Sequence, residues 1–324
     1  MSRNKTLFRN RIRFLFLFSV ICPSCTNTLP STSYDDSSFT KYDKDTPVEF
    51  TFRSFDNGCC HVETSQFSYP YTDQPYDTIE TLVFPSFSPD NERVISASIP
   101  LSFQNLKKIQ LPKSIINITQ EAFCSLPKLS NINIPDNVMR IGKAAFKNDV
   151  SLPSIQLEKV KIIDEEAFGN CGNLESLDLG SSLLEIKDYA FADCTVLRSL
   201  SFPNTLKSIG FEAFSYNLSL TSLTIPGSVE TIWNEAFLHC DRLESLTIED
   251  GVRYIGSSAF ESSALRKVFI PKSVTHLDMN AFDNPKETLT VYCEANVKPE
   301  GFIGNSKEKV TYVFGTTKDE FSQL

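Results

Sequence analysis

The residues of this chain that could do chemistry most readily are its nine cysteines and three histidines, among 324 residues. Cys59, Cys60 and His61 are adjacent, which suggests a metal site, but no second pair of ligands follows at the spacing that zinc sites use. We expect this run to lie in a strand, where neighbouring side chains point to opposite faces. One of the two cysteines could form a disulfide with a partner that the sequence does not identify, because export permits disulfides. The sequence therefore predicts no metal centre.

Three further cysteines share a fixed position. Cys171, Cys194 and Cys240 each follow a phenylalanine by three residues, and Asn217 holds the same place between the second and the third. A small residue that recurs in this way is expected to be buried and to pack against a turn or hydrogen-bond to it. We therefore interpret these thiols as structural.

The chain carries no pattern that predicts catalysis. The G-x-S-x-G, H-E-x-x-H, phosphate-loop and dinucleotide-binding motifs are all absent. The formal net charge is −9, and no cluster of Lys and Arg offers a site for phosphates. We therefore expect a protein that is not an enzyme, uses no cofactor and does not bind nucleic acid.

The N-terminus has the composition of an export signal. Basic residues occur between positions 3 and 13, no acidic residue precedes Asp35, and residues 14–21 form a short apolar run. Extended to Cys22, the run would make a helix of about 13 Å, too short for a hydrocarbon core of about 30 Å. We predict a signal peptide at 1–25 and no membrane helix in the mature chain.

Cys25 resembles the cysteine at which bacterial lipoprotein signals end, because the small residue Ser24 precedes it. Pro23 and Cys22 depart from that pattern, and an ordinary cleaved signal is the alternative. The resemblance implies lipidation of Cys25, membrane contact only through the lipid, and an outer membrane lipoprotein of a bacterium. The polar, Ser/Thr-rich residues 26–44 are predicted to be a flexible tether.

Most of the chain is a repeat array. An Ala-Phe pair occurs eight times, with successive phenylalanines 22 or 23 residues apart. Other apolar positions keep the same frame, so that one unit reads L-x-x-L-x-I-P-x-x-V-x-x-I-x-x-x-A-F-x-x-C/N. One residue is missing between Leu157 and Val160, which predicts a tighter turn in that unit. The repeat phenylalanines are Phe123, Phe146, Phe168, Phe191, Phe214, Phe237, Phe260 and Phe282.

The unit has a simple physical interpretation. The alternation in L-x-I predicts a short strand with its apolar residues on one side, and the following Pro ends that strand. The V-x-x-I and A-F segments then return apolar groups to the interior. Because a unit of about 23 residues cannot bury its apolar side alone, stacked units must share a continuous core. We predict one parallel strand at each L-x-I and a buried phenylalanine in every unit.

The ends of the array are predicted to be caps. Alternating residues on both sides of Asn57-Gly58 indicate a hairpin, which we assign to an N-terminal β-hairpin cap at 45–78. The repeats follow at 79–288. A C-terminal cap at 289–324, in which residues 310–314 alternate again, is expected to cover the last edge.

The side chains that flank the inward residues of L-x-I point away from the core. Most are small, polar and uncharged, which suits either a solvated sheet face or a hydrogen-bonding surface for an extended ligand. Aromatic residues are missing there, apart from Phe269, which argues against stacking of sugars. The candidate binding residues are Ser176, Asp178, Ser199, Ser201, Ser222, Thr224, Ser245 and Thr247.

The unit, with its I-P-x-S-V and A-F-x-x-C segments, is similar to the leucine-rich repeats of the BspA-like surface proteins, over residues 79–314. The resemblance implies a right-handed solenoid, mostly β with short turns, and a parallel sheet on its concave face. BspA-like proteins are associated with host matrix proteins and cell attachment, so we predict a monomeric cell-surface adhesion protein with a protein partner. The alternative is a lipoprotein that captures glycans or nutrients, which aromatic residues clustered on one accessible face would favour.

Overall fold

The computed structural model describes residues 39–43, 46–55, 58–64, 79–88, 91–99, 103–278, 280–296 and 309–324, with side chains from Phe52 onward. The predicted signal peptide, with Cys22 and Cys25, and residues 26–38 of the predicted tether lie outside the described residues. The described residues form the predicted parallel β-solenoid, with one short helix.

An antiparallel ribbon precedes the repeats. It consists of β1 (Phe39–Asp43), β2 (Thr46–Phe55) and β3 (Cys59–Thr64), in which β2 pairs with both of the others. β1 lies inside the stretch predicted to be a tether, because its Thr, Tyr and Phe favour strands despite the polar surroundings. β3 also pairs in parallel with β5 (Arg93–Ser98), which joins the ribbon to the repeats.

The first strand of most repeats lies at the predicted L-x-I segment. The strands are β4 (Thr81–Val83), β6 (Lys108–Gln110), β8 (Asn131–Ile132), β10 (Ser154–Gln156), β12 (Ser176–Asp178), β15 (Ser222–Ile225), β17 (Ser245–Ile248), β19 (Lys267–Ile270) and β21 (Leu289–Cys293), followed by β22 (Val310–Phe314). They form four small parallel sheets, β4-β6-β8, β10-β12, β15-β17 and β19-β21-β22.

The prediction of a strand at every L-x-I is wrong for the unit that contains Leu200 and Phe202, where no strand forms. Phe202 stands where other units have Ile or Leu. Its ring packs edge-on against Phe214 and Phe237, with centroid distances of 5.6 and 6.4 Å.

A second strand in each repeat, which the sequence analysis did not predict, forms the longest sheet. It occupies the last two residues of V-x-x-I, and the strands are β7 (Asn117–Ile118), β9 (Arg140–Ile141), β11 (Ile162–Ile163), β13 (Glu185–Ile186), β14 (Ser208–Ile209), β16 (Thr231–Ile232), β18 (Tyr254–Ile255) and β20 (His276–Leu277). With β1, β2, β3 and β5 they make a sheet of twelve strands, parallel throughout the repeats.

Two turns connect these strands, and backbone hydrogen bonds explain their sequence. In P-x-x-V the Pro carbonyl accepts the amide of the Val, as between Pro226 and Val229 at 3.0 Å. In the unit with one residue fewer, the amide of Val160 donates to the carbonyl of Leu157 at 3.2 Å. This turn has the same size as the others and begins at the last apolar residue of L-x-I instead of at a Pro, so the expectation of a tighter turn is wrong. At A-F, the amide of every repeat phenylalanine from Phe123 to Phe260 donates to the alanine carbonyl of the next repeat, as from Phe168 to Ala190 at 2.8 Å.

The core is a column of phenylalanine rings. All eight repeat phenylalanines are at most 1% exposed, as predicted. From Phe146 to Phe282 each ring stacks on the next with centroids 5.0 to 5.4 Å apart and planes within 11°. Stacked aromatic pairs add to the free energy of burial, so the column ties each repeat to its neighbours.

The chain ends with a helix that covers part of a sheet. Helix α1 (Lys318–Ser322) begins after Thr317, whose hydroxyl and the Glu320 carboxylate form a capping box. The ring of Phe321 lies 5.4 Å from those of Phe269 and Tyr292, which point outward from β19 and β21. Phe269 is therefore buried, although its position in L-x-I predicts exposure.

Candidate binding surface

The eight candidate binding residues are all exposed. The sheets set Ser222 opposite Ser245 and Thr224 opposite Thr247. Ser176 and Asp178 lie on β12, which pairs with β10, and Ser199 and Ser201 lie in the unit without a strand at L-x-I, so the rows are joined by strand pairing only between β15 and β17. Leu223, which lies between two of these residues, is 3% exposed and points into the core. Polar, outward side chains thus alternate with buried leucines along each strand. We call these outward side chains of residues 154–248 the L-x-I face.

One of the eight also has a structural contact. The Asp178 carboxylate accepts the amide of Gly180 at 2.9 Å. Gly180 has a φ of +62°, and a Cβ there would lie 2.5 Å from the carbonyl oxygen of Glu158. Asp178 therefore supports the turn that leaves β12, and the serines and threonines are the freer members of the set.

The L-x-I face ends where α1 begins to cover the sheet. Beside α1 lies a cavity of about 210 Å³, lined by Ile248, Phe269, Lys272, Glu294 and Lys318 among others. Small-molecule sites are usually clefts of roughly 300–1,000 Å³. The surface is therefore better suited to an extended ligand than to an enclosed small molecule.

The outward side of the twelve-stranded sheet is chemically different. Asp164, 8% exposed, accepts from the Arg140 guanidinium at 2.8 Å and lies 3.3 Å from the Lys187 ammonium. Lys143 pairs with Glu165 at 2.8 Å. Between residues 140 and 187 this surface is therefore a network of paired charges, in contrast to the uncharged hydroxyls of the L-x-I face.

The Cys-Cys-His run lies in a strand, as expected, and its chemistry is structural. Burial, with Glu92 nearby, raises the pKa of Cys60 to about 12, so the thiol stays protonated. Burial, with Arg53, lowers the pKa of His61 to about 4, and its ring nitrogens lie 2.8 and 3.1 Å from the hydroxyls of Ser96 and Ser98. Among the described residues, no group of three acidic, histidine or cysteine side chains could hold a metal ion.

The recurring cysteines bond to turns, as predicted. Cys171, Cys194 and Cys240 are buried free thiols, and each points to the carbonyl of the phenylalanine in the preceding repeat at 3.2 to 3.5 Å. Asn217 donates to the equivalent carbonyl of Phe191 at 2.9 Å and also to that of Phe214, in its own repeat, at 2.8 Å. Burial raises the pKa of Cys194 to about 12, which opposes the thiolate that a nucleophile needs.

Asp149 occupies the same position, three residues after Phe146, and the sequence analysis missed it. Its side chain is fully buried, and Oδ1 accepts the amide of Leu126 at 2.7 Å, while Oδ2 has no hydrogen-bond partner. Burial raises the pKa of this carboxyl to about 9. The constant spacing after the repeat Phe was the signal that identifies it.

Among the described residues, no helix has the length and apolarity needed to cross a membrane.

Two parallel ladders per turn, a phenylalanine column and a small buried residue after it define a leucine-rich repeat solenoid. The family described as the BspA type leucine-rich repeat region matches residues 95–187 and 161–288, in six copies. These ranges span more than half of the chain, which therefore belongs to this family.

Several solved bacterial structures are similar to the chain, and each is a likeness of fold alone. A leucine-rich repeat protein from Bacteroides ovatus is 20% identical, over 82% of this chain and 98% of that one, with a TM-score of 0.35. A leucine-rich cell surface protein from Faecalibacterium prausnitzii is 18% identical, over 89% and 97%, with a TM-score of 0.43. A leucine-rich repeat protein from T. pallidum is 22% identical, over 66% and 86%, also at 0.43. No curated protein matches the chain.

Proposed function

We propose that this protein is a non-enzymatic cell-surface adhesion protein that binds a protein partner across the L-x-I face. The observation that carries the proposal is the set of eight outward residues, all exposed and repeated from turn to turn. A ligand that lies along such rows gains many weak hydrogen bonds, so no single contact must dominate. Membership of the BspA-type family is consistent with this role.

The buried groups support a role without catalysis. The thiols of Cys60, Cys194 and Cys240 are held protonated by burial, and His61 is held neutral between two serines. The three thiols are buried, and each lies within hydrogen-bond distance of a backbone carbonyl, whereas the partners of the half-buried His61 are serine hydroxyls. The accessible L-x-I face instead carries hydroxyls, which recognise a ligand through hydrogen bonds.

We also propose that Cys25 is lipidated and anchors the protein at the bacterial surface as an outer membrane lipoprotein. The segment between Cys25 and β1 would then separate the solenoid from the membrane. The protein acts as a monomer in this arrangement, with the L-x-I face open to a host matrix protein.

Direct binding to purified matrix proteins tests the proposal. Immobilised fibronectin, laminin and collagen would be probed with the purified full chain by surface plasmon resonance. We expect saturable binding to at least one of them, weakened little by salt because Asp178 is the one charged side chain among the eight candidate residues. Binding to none of the three would contradict a matrix-protein partner.

A further inference from the structure

Three aromatic side chains come together on the outward side of the twelve-stranded sheet. Tyr254 and His276 stand opposite each other on β18 and β20, and their rings stack with centroids 4.6 Å apart. Trp233 directly follows β16 on the preceding repeat, and its ring lies 5.8 Å from that of Tyr254, tilted by 49°. We call Trp233, Tyr254 and His276 the aromatic patch; the L-x-I face contains no such group.

The fold does not require the largest of these side chains. Trp233 is 49% exposed. The equivalent positions on the two neighbouring repeats are Gly210 and Gly256, where a Cβ would lie 2.5 Å from the carbonyl carbon of Lys187 and 2.4 Å from Oδ1 of Asn234. Since the equivalent positions before and after Trp233 are both glycine, no neighbouring side chain covers the indole from those two repeats. Part of the indole surface is therefore open to solvent.

The surroundings of the patch are polar and carry charges of both signs. The amides of Arg253 and Tyr254 both donate to the carbonyl of Glu230, at 3.0 and 3.1 Å, which sets the backbone of the exposed Glu230 beside that of the exposed Arg253, just before β16 and β18. Burial and then Asp278 raise the pKa of Tyr254, so its phenol keeps a proton to donate. Glu230 and Asp278 against Arg253 give a formal charge of −1, so these groups offer hydrogen bonds without the positive charge that an anionic ligand needs.

We propose that the aromatic patch binds a neutral carbohydrate chain, through stacking of a pyranose ring on Trp233 and hydrogen bonds from its hydroxyls to the flanking polar side chains. The face of an aromatic ring is electron-rich and attracts the weakly positive C–H groups of a sugar face. Sugars with all ring substituents equatorial present such C–H groups on both faces, so β-linked glucose and N-acetylglucosamine oligomers fit best. A protein hot spot would instead lie in a well-packed pocket that excludes water, whereas Trp233 is 49% exposed.

This site is separate from the L-x-I face and does not depend on the protein-binding function proposed for that face. The two surfaces are built on different strands of each repeat, β16, β18 and β20 for the patch and β12, β15 and β17 for the face. A surface protein with both could hold a glycoprotein by its protein part and its glycan. Substitutions in one surface should leave the other unchanged.

The sequence provides a reporter for the test. Trp233 is the only tryptophan of the chain, so a change in tryptophan fluorescence arises at this patch. Cellohexaose and chitohexaose would be titrated into the purified full chain, kept in a detergent without sugar headgroups. We expect a saturable change in the emission with at least one of them. No change with either sugar at millimolar concentration would overturn the proposal.

Substitutions of the aromatic residues test whether the sugar binds to these rings. Trp233→Ala, measured by calorimetry, should weaken binding at least about fivefold, the lower end of what stacking on an aromatic ring contributes. Tyr254→Ala should weaken it as well, with fluorescence still available. The matched control is Tyr216→Ala, since Tyr216 is 40% exposed and stacks on His239 at 4.9 Å outside the patch. Equal binding by Trp233→Ala and the parent would overturn the proposal.

Discussion

Asp149→Asn should make the protein more stable at neutral pH. The carboxyl is fully buried, and its pKa of about 9 lies far above the ordinary value of 3.8. The folded chain therefore keeps the proton at pH 7, whereas the unfolded chain releases it. Between those two pKa values the unfolded state binds fewer protons, so the free energy of unfolding falls as the pH rises from about 4 to about 9.

The magnitude follows from the distance between the unfolded pKa and the working pH. Each unit is worth about 1.4 kcal/mol, so from 3.8 to 7 the retained proton costs about 4 kcal/mol relative to a side chain that does not ionise. Asn has nearly the same shape, and its amide can donate as Asn217 does at the same position of another repeat. We expect a gain of about 2–4 kcal/mol at pH 7 and little gain at pH 4.

Urea denaturation at pH 4, 5.5, 7 and 8.5 measures this difference directly. The gain of Asp149→Asn over the parent should grow with pH. Asp136→Asn is the control, because Asp136 is an exposed carboxyl on a turn of the same array. The reasoning would be refuted if Asp149→Asn gave the same gain at pH 4 and 7, or if it destabilised the protein at pH 7.

Three further outcomes are expected. Phe191→Ala removes one ring from the buried column and should lower the free energy of unfolding by about 3–5 kcal/mol; a loss under 1 kcal/mol in urea denaturation would contradict the column as the core. Asp164→Asn loses a paired carboxylate and leaves Arg140 and Lys187 facing each other, so it should cost about 1–2 kcal/mol, less in high salt; a salt-independent change would argue against ion pairing. Cys25→Ala should move the protein from membrane to soluble fractions with an unchanged melting curve, whereas retention in the membrane would count against the lipid anchor.

The positions with constant spacing were predictable from the sequence, and those that depend on local backbone geometry were not. Phe168 and Leu223 recur in the same frame in every unit, so their burial followed from the period alone. The second strand is only two residues long, as at Tyr254–Ile255, which is too short for an alternating pattern to appear. Glu166, with φ of +56°, adopts a left-handed conformation that its residue type does not signal.

The remaining differences between the sequence-based expectations and the structure arise from contacts between residues that are distant along the chain. The outward position of Phe269 was correct, but its burial depends on Phe321, 52 residues later, and no periodic pattern connects the two. Trp233 and Tyr254 likewise form the aromatic patch only because β16 and β18 pair in register. The polar rows of the L-x-I face could be read from the sequence because each row is itself part of the repeat.

The measurement that tests the proposed binding face most directly is the affinity of the triple variant Ser199→Arg, Ser222→Arg, Ser245→Arg for the matrix protein that binds the parent chain. Three large cations on one row should reduce the affinity at least tenfold while the melting curve stays that of the parent, because these residues are exposed. Glu185→Arg combined with Thr275→Arg adds the same three positive charges at exposed positions of the other sheet and should bind as the parent does. Unchanged affinity of the triple variant, or an equal loss in the control, would contradict the L-x-I face as the binding surface.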